Sequence, residues 1–495
     1  MYKYLLFLYF FFGINGILLA NNVQVNNVEV IRIDRSNKII YIQFDLSGEN
    51  AWRIRDGADN WDADWVFIKY RSGTGDWRHA TLSTNRSIFI YPAGVTIDPA
   101  TDGKGVFIYS SNADAGLISS YNYQKIVLAW EYGTDGFDEN TNDLEVKVFA
   151  IEMVYIPQGD FYVGDGSSSN TLQNTANSPA KISSTGVEVS CPVNDTDDDI
   201  IEAGIWIDGD DGIDTDGDLT IDNTSFPTGY KAFYCMKYEI SQQQYVDFLN
   251  NLTATEANAC WEENNSTRNN VTAPSNHPNI TTTSPYVAMN WLDWYDLTAF
   301  LDWAALRPMT ELEFEKAARG TNAPVAGEYA WGTKNIANYQ YTLDNVNTAN
   351  ETVTNANSVG NANWDNTVPS SSLKGPMRCG IFAVNNTSNS REFAGASFYG
   401  VMSLSGNLWE LTVTIGNLDG RNFAGSHGDG KLVNAAADNS DWPHSGKDDT
   451  LGSGFRGGAY RYPSSRLATS NRSIAAHGYY KRDNDQGGRG VRTAN

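Results

Sequence analysis

Three short stretches concentrate the residue types that bind ligands or anchor loops. They are Ser405-Gly-Asn-Leu-Trp-Glu-Leu411, Gly454-Phe-Arg-Gly-Gly-Ala-Tyr460 and Gly487-Gly-Arg-Gly-Val-Arg492. Glycine lets the backbone bend or approach closely, and a ring or guanidinium beside it fills the space so created. A fourth stretch, Asp208-Gly-Asp-Asp-Gly-Ile-Asp-Thr-Asp-Gly-Asp218, interleaves carboxylates with glycines. Calcium loops need both, for hard oxygen ligands and a sharp wrap. It lacks the closing glutamate and helix of an EF-hand, so an acidic surface loop is the simpler reading and calcium the alternative. His79, His277, His427, His444 and His477 share no metal-ligand spacing and are assigned no role. No HExxH, GxSxG or phosphate-binding loop occurs.

The elements that must position these stretches fall into two regions. Residues 21–150 carry short β-branched and aromatic runs, among them Ile39–Phe44, Trp65–Tyr70, Ser87–Tyr91 and Lys125–Trp130. Leu144–Phe149 alternates, and Gly, Asp and Asn cluster between the runs. That spacing predicts a β-sandwich with no catalytic constellation of its own, a spacer or docking domain. A second region, 151–495, opens with the strand-turn-strand pattern Met153–Gly164 and carries an insertion at about 166–228. Ser241 and Gln244 form a capping box ahead of an apolar face of Tyr245, Phe248 and Leu249. Asn290 is the expected N-cap of a helix bearing Leu297, Phe300, Leu301 and Ala304, with Asp293 in its first turn. Thr310 and Glu313 form another capping box, and Gly320 ends that helix. Beyond 320, helical patterning stops and long Gly- and Asn-rich loops follow.

The 495 residues carry a formal net charge of −24, with Lys+Arg 35 against Asp+Glu 59. Such a chain repels phosphate backbones, so nucleic acid is excluded as a partner, and no polybasic segment suits anionic lipid. Lys3 followed by the apolar runs Leu5–Phe12 and Ile14–Ala20 reads as a signal peptide over 1–20, cleaved near Ala20, which places the protein outside the cytoplasm. No later stretch is long and apolar enough to span a bilayer. Cys191, Cys235, Cys260 and Cys379 form no CxxC pair, so structural zinc is not expected. Export permits disulfides among them, while Cys235 lies in an apolar run that suits a buried thiol.

Several blocks occur in an order that resembles the formylglycine-generating enzyme (sulfatase-modifying factor) family. They are Val154–Gly164, Tyr238–Phe248, Arg307-Pro-Met-Thr-Glu-Leu-Glu-Phe-Glu-Lys-Ala-Ala-Arg-Gly320, Tyr329–Gly332, Ser405–Leu411, Arg456-Gly-Gly458 and Gly490-Val-Arg492. The resemblance covers about 151–495 apart from insertions. It implies an α+β domain related to the C-type lectin fold, with little regular secondary structure. It also implies structural calcium, held by the carbonyls of Gly406 and Leu408 and the side chain of Glu410. Ser403 stands where the family has Asn. A second calcium site is implied at Asn338 and the Tyr339 carbonyl.

The family's oxidase binds copper(I) through two cysteines just after its Arg-Gly-Gly segment, since soft thiolates suit that ion. Here Arg456–Ser470 contains no cysteine, so copper is not expected. An iron-dependent branch uses three histidines in a separate helical domain, which this chain lacks. Arg456, Arg489 and Arg492 read as loop clamps through charge-assisted hydrogen bonds. The expected function is a secreted, calcium-stabilised binding or scaffold module for a protein, glycan or surface ligand. The alternative is an enzyme modifying an exported protein. The loop 459–486, rich in Tyr, Ser, Asn and Arg, has the composition of a recognition surface.

Overall fold

The computed structural model describes residues 22–55, 57–140, 143–166, 171–174, 178–184, 222–262, 266–356, 360–383, 390–443, 450–479 and 481–495. The leader, Cys191, His444, the 208–218 stretch and most of the 166–228 insertion lie outside them.

The N-terminal region is built from β1 (Gln24–Asp34), β2 (Ile39–Ile54), β3 (Asn60–Ser72), β4 (Val95–Pro99), β5 (Val106–Ser110), β6 (Gly116–Trp130) and β7 (Leu144–Ile156). β2 pairs with β1 and β6 along most of its length, and meets β3 only at Arg53 and Ile54. β3 pairs with β5 and, from Asp62 to Ser72, with β7. The two groups of strands enclose one apolar core, with Ile40, Ile42, Phe44, Leu128 and Trp130 from one side and Val66, Ile68, Ile108 and Val148 from the other.

The expected border at 150 and 151 falls inside β7, and the strand does not break there. Val154 pairs with Asp62 of β3 on one side and Cys235 of β8 (Phe233–Met236) on the other. The sheet then runs on to β13 (Gly490–Thr493) and β9 (Arg307–Pro308). Both regions therefore share one continuous sheet.

The physical reason is that β3 is buried on both faces. Val66, Ile68 and Tyr70 enter the N-terminal core. Trp65 and Phe67, on the alternate face, enter the main core with Trp303, Phe300 and Leu301. The Trp65 indole N–H donates to the Ala304 carbonyl at 2.9 Å. Arg492 lies over the Trp65 ring at 4.4 Å, reaches Asp102 at 2.5 Å and donates to the Ala305 carbonyl. Lys237 adds a buried ion pair to Asp62 at 2.6 Å and donates to the Asn50 carbonyl.

The helices follow local rules. α1 (Gln242–Leu249) and α3 (Glu311–Arg319) start with capping boxes at Ser241/Gln244 and Thr310/Glu313. α2 (Trp294–Trp303) begins three residues later than Asn290 would place it. Its N-cap is Asp293, whose side chain accepts from Asp296 N–H at 2.9 Å. Asn290 instead donates to the carbonyls of Thr267 and Asn484. Gly320 ends α3 at φ 66°, and a Cβ there would meet the Phe398 ring at 2.1 Å.

β10 (Trp409–Val413), β11 (Ser453–Arg456) and β12 (Gln486–Gly487) form a small separate sheet. It brings the three glycine-rich stretches of the sequence side by side.

Removing the Trp65 side chain opens a cavity where the two regions meet. Trp65→Ala is expected to cost about 3–5 kcal/mol in chemical denaturation. Fluorescence and circular dichroism should still report one coincident transition, because the sheet is shared. Separate transitions with the C-terminal region unaffected would refute that coupling.

Candidate functional site

The site region is organised by α3, every residue of which is buried. A helix so enclosed cannot leave its carboxylates unpaired. Glu311 accepts from Arg456 at 2.8 Å, from Arg472 at 2.5 and 2.7 Å, and from the Ile415 N–H at 2.9 Å. Burial pulls the Glu311 carboxyl up, but Arg472 and Arg456 outweigh it and hold it below its ordinary value. Glu313 takes both prongs of Arg307 at 2.8 and 2.6 Å. Glu315 accepts from Arg456, Arg319 and the Gly164 N–H.

Ser405–Leu411 packs beside this network. Gly406 adopts φ 91°, and a Cβ there would meet the Asn363 carbonyl oxygen at 2.6 Å. Asn407 follows at φ 71°. Its amide donates to Glu239 at 2.6 Å, and the Leu408 N–H donates to the same carboxylate at 3.1 Å. Its carbonyl oxygen accepts from Met377 N–H and from Asn363. One side chain thus ties three loops.

Glu410 lies fully buried on β10. Its Oε1 accepts from Arg489 Nε and Nη2 at 2.8 and 2.5 Å, while its Oε2 has no hydrogen-bond partner. Arg489 also donates to the carbonyls of Met236, Lys237 and Met402. Burial and the neighbouring Glu410 push Glu239 up to about 8 against the pull of Arg489. Glu239 lies inside the quoted block Tyr238–Phe248, yet nothing in its local spacing marks it as the carboxylate that receives Asn407.

For the calcium expectation, the observation at this place is one oxygen without a donor, on a carboxylate whose other oxygen is held by Arg489. Glu410 offers one buried oxygen without a donor, next to a turn whose backbone is left-handed at Gly406 and Asn407. Oxygen-only donors of this kind suit calcium. Gly406, Leu408 and Glu410 would hold the ion, which would supply structural charge compensation.

Asn338 and Tyr339 lie elsewhere. Asn338 is exposed and accepts from Asn366 at 2.7 Å, and the Tyr339 hydroxyl donates to the Asn355 carbonyl. The segment 361–364 separates the two places: the Asn363 carbonyl backs Gly406, while the Trp364 indole donates to Ala337.

Cys235, Cys260 and Cys379 are free and buried, so the described cysteines form none of the disulfides that export would permit. Each packs in a different core cluster. Burial pushes the Cys235 thiol up to about 12 and the other two well above the ordinary value. His427 borders a cavity of about 740 Å³ together with Phe226, Tyr230, Arg307, Glu313 and Thr493. Its Nε2 accepts from the Thr493 N–H at 3.0 Å, and burial beside Arg492 and Arg307 keeps it neutral well below the usual range. Arg307 is committed to Glu313, so this cleft presents no free cation among the residues just named.

Residues 200–494, more than half of the chain, match the model of the sulfatase-modifying factor enzyme 1-like domain. The chain belongs to the sulfatase-modifying factor family. The match includes α1–α3, the buried arginine clamps and the Ser405–Leu411 turn, so the network around α3 is the framework of a family domain. No curated protein matches the chain. Among solved structures, a Treponema denticola variable protein 1 chain aligns over 70% of this chain and 96% of its own, at 14% identity and a TM-score of 0.30. That superposition is too loose to argue from.

Glu311→Gln is expected to destabilise the fold by about 3–5 kcal/mol in urea titration, because Arg456 and Arg472 lose their shared buried partner. A loss below 1 kcal/mol would mean the clamp is dispensable. For calcium, a concentration near 100 times Kd should add about 2.7 kcal/mol of stability relative to chelator. Glu410→Gln should reduce that gain in differential scanning calorimetry, and an equal gain in both proteins would remove Glu410 as a ligand.

Proposed function

We propose that this chain is an exported binding or scaffold module, a sulfatase-modifying factor domain stabilised by calcium and lacking the family's oxidase chemistry. The observation that carries this reading is Arg456–Ser470, which has no cysteine where copper(I) needs thiolates. The side chains there serve structure instead. Arg456 is enclosed by Glu311 and Glu315. The Tyr460 hydroxyl donates to Asn484 at 2.7 Å, and Arg461 pairs with Asp483 and Asp485. The described thiols are buried and held protonated, which disfavours metal binding through thiolate.

The leader-like run over residues 1–20 supports export, and calcium is plentiful outside the cell. The scarcity of regular elements after residue 320 supports kinship with C-type-lectin-related folds. The partner is a protein, glycan or surface ligand. The loop 459–486 is the surface best suited to it, with half-buried Arg461 and Tyr462 and exposed Ser465 and His477 among its residues. No helix of the described residues is long and apolar enough to cross a membrane.

The purified protein, supplied with copper(I), calcium, oxygen and a peptide carrying the sulfatase Cys-x-Pro-x-Arg motif, is expected to form no aldehyde above a no-protein control in mass spectrometry. Aldehyde above that control would replace this reading with the enzymatic one.

A further inference from the structure

Three carboxylates, away from Glu410, are brought together at the C-terminal end of α2. Asp302 is fully buried there, one residue from the helix end. Its Oδ1 accepts from the backbone N–H groups of Asp429 and Gly430 at 2.9 and 3.3 Å. Its Oδ2 is buried and has no hydrogen-bond partner. A buried carboxylate oxygen left unmet is costly, so it calls for a proton or a cation. Carboxylate oxygens of Asp302, Asp429 and Asp438 lie within 4.8 Å of one another, and the latter two are exposed.

The loop that brings them together is held close by its backbone. Gly428 packs so tightly that a Cβ would meet the Asp302 Cα at 2.4 Å. The Gly430 N–H also donates to the Asp302 carbonyl at 3.0 Å. Among the described residues, none of the three carboxylates has an arginine or lysine salt-bridge partner. The neighbouring ammonium, Lys69, is spent on the Gly430 carbonyl at 2.9 Å.

We propose that Asp302, Asp429 and Asp438 bind a calcium ion that fastens the 428–438 loop to the end of α2. Carboxylate ligands from one buried and two exposed residues suit a large, hard cation that completes its shell with water. Smaller magnesium demands a more regular octahedron and fits such a set less well. The ion would also brace the join between the two regions. Lys69 lies on β3, and its partner Gly430 belongs to the loop that the ion fixes.

Calcium titration by calorimetry on the wild-type protein, the D429N/D438N double variant and Glu410→Gln separates this site from the other. Both substituted aspartates are exposed, and circular dichroism checks that the fold is retained. The double variant is expected to lose about tenfold or more in affinity at one site. Glu410→Gln should keep that binding event. Terbium emission excited through the adjoining Trp303 should fall in the double variant only. An isotherm and terbium emission unchanged by D429N/D438N would overturn the site, as would a wild-type protein that binds no calcium there.

Discussion

The fold depends on the enclosure of charge around one short helix. α3 exposes none of its residues, yet it carries Glu311, Glu313 and Glu315. Each carboxylate is met by a guanidinium. Those of Arg456 and Arg472 reach Glu311 from 145 and 161 residues away in the chain. Buried ion pairs gain little net stability over apolar contacts, because desolvation offsets attraction. Their effect is on specificity: a misplaced loop strands a charge in the core. In a domain whose loops have few ladder hydrogen bonds, this penalty replaces secondary structure as the constraint on the chain path. Arg319 extends the same logic, joining Glu315 at 3.0 Å and also Glu328.

The second constraint is the double burial of β3. A strand covered on one face alternates polar and apolar residues, but Asp62–Tyr70 is buried throughout. Two of its polar members are paired or hydrogen-bonded across the join: Asp62 meets Lys237, and Lys69 reaches Gly430. Asp64 receives the Tyr121 hydroxyl at 2.6 Å from within the N-terminal strands. The N-terminal strands thus contribute Trp65, Phe67 and Phe107 to the main core. A spacer would keep its own closed surface; this region cannot, since Trp65 and Phe67 would be left facing water.

Legibility in the sequence followed the range of each interaction. Capping boxes at Ser241/Gln244 and Thr310/Glu313 are set by residues three apart, and both formed. The N-cap of α2 was misplaced at Asn290 because Asn and Asp both cap well, and only tertiary contacts to Thr267 and Asn484 decide which is free. Arg456, Arg489 and Arg492 were readable as clamps from their chemistry and glycine neighbours. Their partners were not, since Glu311, Glu410 and Asp102 have no fixed offset from them. Glu239 and Asp302 stayed hidden for the same reason. Compartment alone would permit disulfides, but Cys235, Cys260 and Cys379 are packed in separate cores.

These constraints also bear on what the domain is free to do. A reactive group must keep a proton or electron pair available to substrate, and here burial works against it. The described thiols are held protonated, His427 is held neutral with its Nε2 occupied by Thr493, and Arg307 is fully engaged by Glu313. Of the four buried carboxylate oxygens still unmet among the described residues, on Asp64, Glu152, Asp302 and Glu410, those of Glu410 and Asp302 are hard donors next to turns built on glycine. Hard cations at such places rigidify loops without supplying redox chemistry. Rigid loops in turn lower the entropy lost when a partner binds. The same enclosure therefore fixes the loops of this domain where regular secondary structure does not.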